Sequence, residues 1–65
     1  MSVFKVEDMS CAHCEKAIQE EIMKENNNVK VDVDLSHKIV KVDNLPDDRV
    51  LFLLREIGYN PEKIS

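Results

Sequence analysis

Apolar residues recur along this chain with two different periods. From Val3 to Glu7, Phe4 and Val6 alternate with Lys5 and Glu7, which predicts a strand with one buried face. From Cys14 to Lys24, Ile18 and Ile22 fall at helical spacing with Ala17 beside them, among Glu, Lys and Gln. This predicts an amphipathic helix, with Ser10 as its N-cap and Asn26-Asn27-Asn28 as the polar turn that ends it. Val29, Val31, Val33 and Leu35 alternate with Lys30, Asp32 and Asp34 and give the clearest strand. After a tight Ser36-His37-Lys38 connection, Val40 and Val42 point inward from a third strand, with Lys41 outward. Asn44 to Asp48 opens a second helix, where Pro46 and the acids suit a first turn. Its buried stripe is Val50, Leu53, Leu54 and Ile57; Phe52 lies off that stripe and is expected to be exposed. Gly58 stops the helix, and Glu62 to Ile64 has room for a short last strand.

The order is therefore βαββαβ, and each strand has one apolar face. That pattern predicts an α+β fold with two helices on one face of a four-stranded antiparallel sheet, its other face wet. The split βαβ, ferredoxin-like arrangement gives a spatial strand order of 4-1-3-2. In this topology the first strand–helix loop, the central hairpin and the loop after the second helix share one end of the molecule. Cys11, Cys14, His37 and Tyr59 are expected there, and the Asn run and Pro46 at the other end.

Size narrows what such a fold can do. With 65 residues, the chain reads as a single domain over 1–65, and a domain this small is marginal. It lacks room for a core plus a deep substrate cavity, so a surface site is expected and an enzyme is not. Hydrophobic content of 43% and charged content of 34% suit a compact, folded domain. No apolar run approaches the ~18 residues of a membrane span, and no signal peptide is visible at the N-terminus. The net charge of −4, with nine basic residues scattered among thirteen acidic ones, argues against nucleic acid. A protein partner with a basic face suits it better.

Both cysteines lie in Met9-Ser10-Cys11-Ala12-His13-Cys14, between the first strand and the first helix. A disulfide across so short a loop would restrain the unfolded chain little. In a reducing compartment this spacing is more often metal-binding or catalytic. Two thiolates at the mouth of a helix can hold a soft metal ion or form a redox pair. Cys14, in the first helical turn, would have its thiolate stabilised by the helix dipole and free backbone N–H groups. Cys11, further out in the loop, would be the more accessible group and the first to exchange.

The motif and its setting resemble the heavy-metal-associated domain family, which includes copper chaperones and the N-terminal modules of copper-pumping ATPases. The resemblance runs through Met9 to Cys14, the valine-and-acid strand Val29 to Leu35, and Ile57-Gly58-Tyr59 after the second helix. His13 between the cysteines and Tyr59 after the glycine are similar to the bacterial copper chaperones; eukaryotic members usually carry Lys at the latter position. Three departures stand out: Asp8 for the usual Gly before the Met, Asn26-Asn27-Asn28 for Pro-Gly-Val, and Lys38 for the hairpin Gly. Asp8 adds negative charge beside the metal loop and so bears on which partner docks.

The resemblance implies a cytoplasmic Cu(I) chaperone, or a module excised from an ATPase. It would hold copper on Cys11 and Cys14 and pass it, by entry of a partner's thiolate, to a copper-transporting P-type ATPase or a copper-responsive regulator. Soft Cu(I) suits two thiolates, whereas a structural Zn(II) site wants four ligands. Hg(II) also favours a linear dithiolate, and Zn(II) or Cd(II) would need another group to complete the site. A thiol–disulfide oxidoreductase is a third reading of Cys-x-x-Cys, against which stand the short chain, the strand–helix order and the absence of Trp or Pro beside the pair. Met9 is expected in the core under the metal loop, and Tyr59 as a ring that closes the core and shields the thiolates or donates a hydrogen bond. His13 should point to solvent, with a role only where copper bridges two molecules as a homodimer. His37 should lie roughly 10 Å from the first strand, two strand spacings away, too far for direct ligation. Glu15 and Lys16, nearest the loop, would orient a docking partner.

Overall fold

The computed structural model describes residues 2–10, 12–25 and 27–64. Six elements follow one another: β1 (Ser2–Lys5), α1 (Ala12–Met23), β2 (Lys30–Asp34), β3 (Ile39–Asp43), α2 (Asp47–Glu56) and β4 (Glu62–Lys63). They form one antiparallel sheet in the order β2-β3-β1-β4 with two helices packed on it. This is the ferredoxin-like α+β architecture expected from the pattern, with the same strand order.

Register explains which side chains meet. Val33, Val40 and Phe4 lie opposite one another across β2, β3 and β1, as do Val31 and Val42. These residues face the helices. On the other face, Asp32 lies opposite Lys41, and Lys5 opposite Glu62. Opposite charges in facing positions support the wet side of the sheet. The core is Phe4, Val6, Met9, Ile18, Ile22, Val29, Val40, Val42, Val50, Leu53 and Leu54, with no buried polar or charged residue among those described. Ile57 is half-buried against this core, and Phe52 is 48% exposed, as its place off the stripe requires.

Several boundaries differ from the periodicity. Helix α1 is described from Ala12, and Cys11, the residue that would follow a Ser10 cap, lies outside the described residues. It ends at Met23, where Glu25 N–H turns back to the Ile22 carbonyl at 3.1 Å. The proposed Asn turn lies beyond that, with Asn27 and Asn28 in a turn and Asn26 outside the described residues. Ala17 is exposed rather than part of the buried stripe. Cys14 takes that place instead, because Cys14, Ile18 and Ile22 recur every four residues on one face. Pro46 is the N-cap of α2, not a member of its first turn; its carbonyl accepts from Arg49 and Val50 N–H at 3.1 Å each.

The end of α2 has the geometry of a Schellman motif. Tyr59 N–H donates to the Leu54 carbonyl and Gly58 N–H to that of Arg55, both at 3.0 Å. The motif needs a residue with positive φ, and Gly58 supplies it at 95°. The result fixes where Tyr59 leaves the helix, and its side chain packs on the core.

At the end away from the cysteine loop, Asn44 Nδ2 donates to the Asn28 carbonyl at 2.8 Å. Arg49 grips Glu25 there through two bonds of 2.6 and 3.2 Å and lies 5.0 Å above the Phe52 ring. The Arg49 guanidinium lowers the Glu25 carboxyl pKa. At the start of α2, Asp47 accepts from Lys63 at 2.5 Å and from Ser2, and both bonds hold its pKa down, that from Lys63 foremost.

Candidate metal site

The loop from Glu7 to Cys14 is braced on both flanks. Met9 N–H donates to the Val6 carbonyl at 3.1 Å, closing a turn at the end of β1. From the hairpin side, the Lys38 carbonyl accepts the Val6 N–H at 2.8 Å, and Lys38 Nζ donates to the Met9 carbonyl at 2.8 Å. From the other side, Asn60 donates to Asp8 Oδ2 through its backbone N–H and its side-chain amide, each at 3.2 Å. The first loop, the hairpin and the segment after α2 therefore do meet at one end. Asp8, a departure from the family pattern, serves here as the acceptor that ties the loop to the residue following Tyr59.

Met9 is fully buried. It fills the space beneath the loop and is part of the core cluster, as expected. Cys14 lies in the first turn of α1, half-buried, with its side chain packed against the core. Side chains on a helix lean toward its N-terminus, so Cys14 tops the buried Ile18–Ile22 stripe at the loop end. Cys11 lies outside the described residues. Ser10 and His13 are exposed, and Tyr59 is half-buried. Glu15 sits in the first turn of α1, half-buried, with Lys16 exposed beside it.

His37 is engaged within its own hairpin. Its Nδ1 lies 2.8 Å from Asp34 Oδ2 and its N–H donates to Asp34 Oδ1 at 3.2 Å, while Ser36 Oγ donates to the same Oδ1 at 2.8 Å. These bonds, that of Ser36 first and the His37 ring next, depress the Asp34 pKa from 3.8 to about 2. A carboxyl depressed on folding stabilises the native state above its unfolded pKa and loses that contribution as pH falls through the folded value. The window is thus from about 4 down through about 2. Asp34→Asn should melt below wild type at pH 7, and the gap should close as the pH falls through this window. A gap that stays constant in thermal melts from pH 7 to pH 2 would contradict this assignment.

Among the described residues no three His, Cys, Asp or Glu side chains gather as a metal cage, and no helix is long and apolar enough to cross a membrane. A shallow concavity at the far end is lined by Asn27, Asn28, Val29, Lys30 and Asn44 and contains no thiol. The bracing contacts of Lys38 and Asn60 escaped the sequence because they join positions far apart in the chain. The only local signal was that Lys38 and Asp8 stand where the family usually has glycine.

A buried Met thus lies beneath a loop that leads into a Cys-bearing helix, on a ferredoxin-like sheet. The family model for the heavy-metal-associated domain matches residues 3–60, and the chain belongs to that family. Among solved structures, it is similar to a gold binding protein, at 23% identity over 98% of this chain and 100% of that one, with a TM-score of 0.92. It is also similar to a trimeric form of the copper chaperone Atx1 from Synechocystis PCC6803, at 24% identity over 92% and 97% of the two chains, with a TM-score of 0.86. A protein of Agrobacterium tumefaciens shares 31% identity over 92% of this chain and 95% of its own, with a TM-score of 0.81. No curated protein sequence matches it.

Proposed function

We propose that this domain is a Cu(I) carrier that holds the ion between Cys11 and Cys14 and hands it to a partner by thiolate exchange. The observation that carries this reading is the placement of Cys14. It is half-buried in the first turn of α1, on a loop end held from beneath by Met9. Backbone N–H groups and the helix dipole favour a thiolate there, and soft Cu(I) favours thiolate sulfur. A two-ligand site leaves the ion open to a third thiolate, so exchange can proceed without the ion entering water. The similarity to a copper chaperone supports copper as cargo. The acceptor would be the matching domain of a copper-transporting P-type ATPase, or a copper-responsive regulator, in the cytoplasm. The domain acts as a carrier rather than a catalyst.

Hg(II) is the strongest competing ion, since it takes the same linear dithiolate; Zn(II) and Cd(II) would require further ligands. Competition against chelators of graded strength under reducing conditions separates these readings. Cu(I) is expected to bind one per chain, well ahead of Zn(II). Tighter binding of Zn(II) than of Cu(I) would sink the proposal.

A further inference from the structure

Lys38 is the residue whose geometry most exceeds what the hairpin needs. Its φ is 58°, in the left-handed region that L side chains seldom occupy and glycine accepts freely. A glycine would close the same hairpin with less strain. What glycine would lack is the side chain, and that side chain leaves the hairpin to reach another loop. Its ammonium donates to the Met9 carbonyl at 2.8 Å across 29 positions of sequence, in a half-buried setting. Met9 is two residues before Cys11. The main-chain carbonyl of Lys38 meanwhile takes the Val6 N–H. One residue thus holds both ends of the turn that leads into the cysteine pair. Its side-chain partner is a carbonyl oxygen, which orients the ammonium without neutralising it.

We propose that Lys38 is a positioning and specificity-determining residue for the cargo, favouring a monovalent over a divalent soft metal ion. The inference rests on the Cu(I)-dithiolate reading above. Two thiolates and Cu(I) carry a net charge of −1; two thiolates and Hg(II) carry none. When a third thiolate enters, the copper complex reaches −2 and the mercury complex −1. Whatever the charge of the empty site, a cation fixed against the loop interacts more favourably with the copper complex than with the mercury complex by one unit of charge, and so favours Cu(I) relative to Hg(II). Glu7, Asp8 and Glu15 place negative charge on or beside the same loop, balanced in part by Lys16 and by Lys5, which pairs with Glu7 at 3.8 Å.

Three variants test this: Lys38→Met, which keeps the apolar stem and removes the charge; Lys38→Arg, which keeps the charge; and Lys38→Gly, which removes the side chain and relieves the backbone. Cu(I) and Hg(II) affinities would be measured by chelator competition at fixed ionic strength, with a thermal melt of each apoprotein. Lys38→Met and Lys38→Gly should lower the ratio of Cu(I) to Hg(II) affinity by about 5- to 10-fold, the size of one partly screened charge interaction. Lys38→Arg should match wild type for both ions. Lys38→Gly should melt at or above wild type, which separates lost affinity from lost folding. A Cu(I) to Hg(II) affinity ratio that stays at the wild-type value in Lys38→Met and Lys38→Gly would overturn the proposal alone. Wild-type protein that takes up no Cu(I) would overturn this inference and the carrier reading together.

Discussion

Replacing Cys14 with serine should abolish transferable Cu(I) binding while leaving the fold in place. Serine is close to cysteine in size, and the site is half-buried at the end of a helix rather than deep in the core, so the structural cost is small. The loss of soft sulfur is not small. A four-ligand thiolate and imidazole site gains roughly 10–16 kcal/mol on binding its metal, or about 3 kcal/mol per ligand. A two-ligand site that loses one ligand should therefore weaken at least about a hundredfold, each ~1.4 kcal/mol being tenfold. Cys11→Ser should lose affinity to a similar degree. The two differ in kinetics: alkylation rate against pH should show Cys14 as the lower-pKa thiol, stabilised by the helix N-terminus, and Cys11 as the more accessible one. Full Cu(I) retention by the Cys14→Ser variant, measured by competition with far-ultraviolet circular dichroism as the folding control, would remove Cys14 from the site.

Met9→Ala should be the most damaging single change to the loop, and for a reason of packing. Met9 is 0% exposed and belongs to the central cluster with Phe4, Val6 and Leu54. Truncating a buried Met to Ala costs about 2–5 kcal/mol. A domain of this length has a total stability of about 3–10 kcal/mol, so the variant should lose much of its cooperative melt. Met9→Leu separates packing from chemistry. Leucine conserves the volume and should cost less than about 1.5 kcal/mol, yet it has no thioether. If Met9 is core, Met9→Leu binds Cu(I) like wild type; if the sulfur is a ligand, affinity falls with the melt unchanged. Its complete burial predicts the first result.

The parts of this fold that were legible in sequence were those encoded by period. Val31 and Val33 against Asp32 and Asp34, or Val50, Leu53 and Leu54 around a helix, declare both an element and its buried face. Gly58 announced the end of α2, because few residues accept a φ of 95°. The ends of α1 were less legible. Ala17 gave way to Cys14 on the inner face because a small side chain gives periodicity a weak vote.

The motif Met9-Ser10-Cys11-Ala12-His13-Cys14 and the βαββαβ pattern were enough to name the fold, the family and a soft-metal carrier as the function to test. Those conclusions depend on residue type and local spacing, which a linear sequence carries. What only the tertiary structure decided is how the loop is held. Lys38 reaches Met9 across the hairpin, and Asn60 grips Asp8 after the second helix. Each joins positions far apart in the chain, and its direction depends on strand order and on dihedral angles such as the 58° at Lys38. Hydrophobic pattern fixes which face of an element is buried, but not which polar group on a neighbouring loop it will meet.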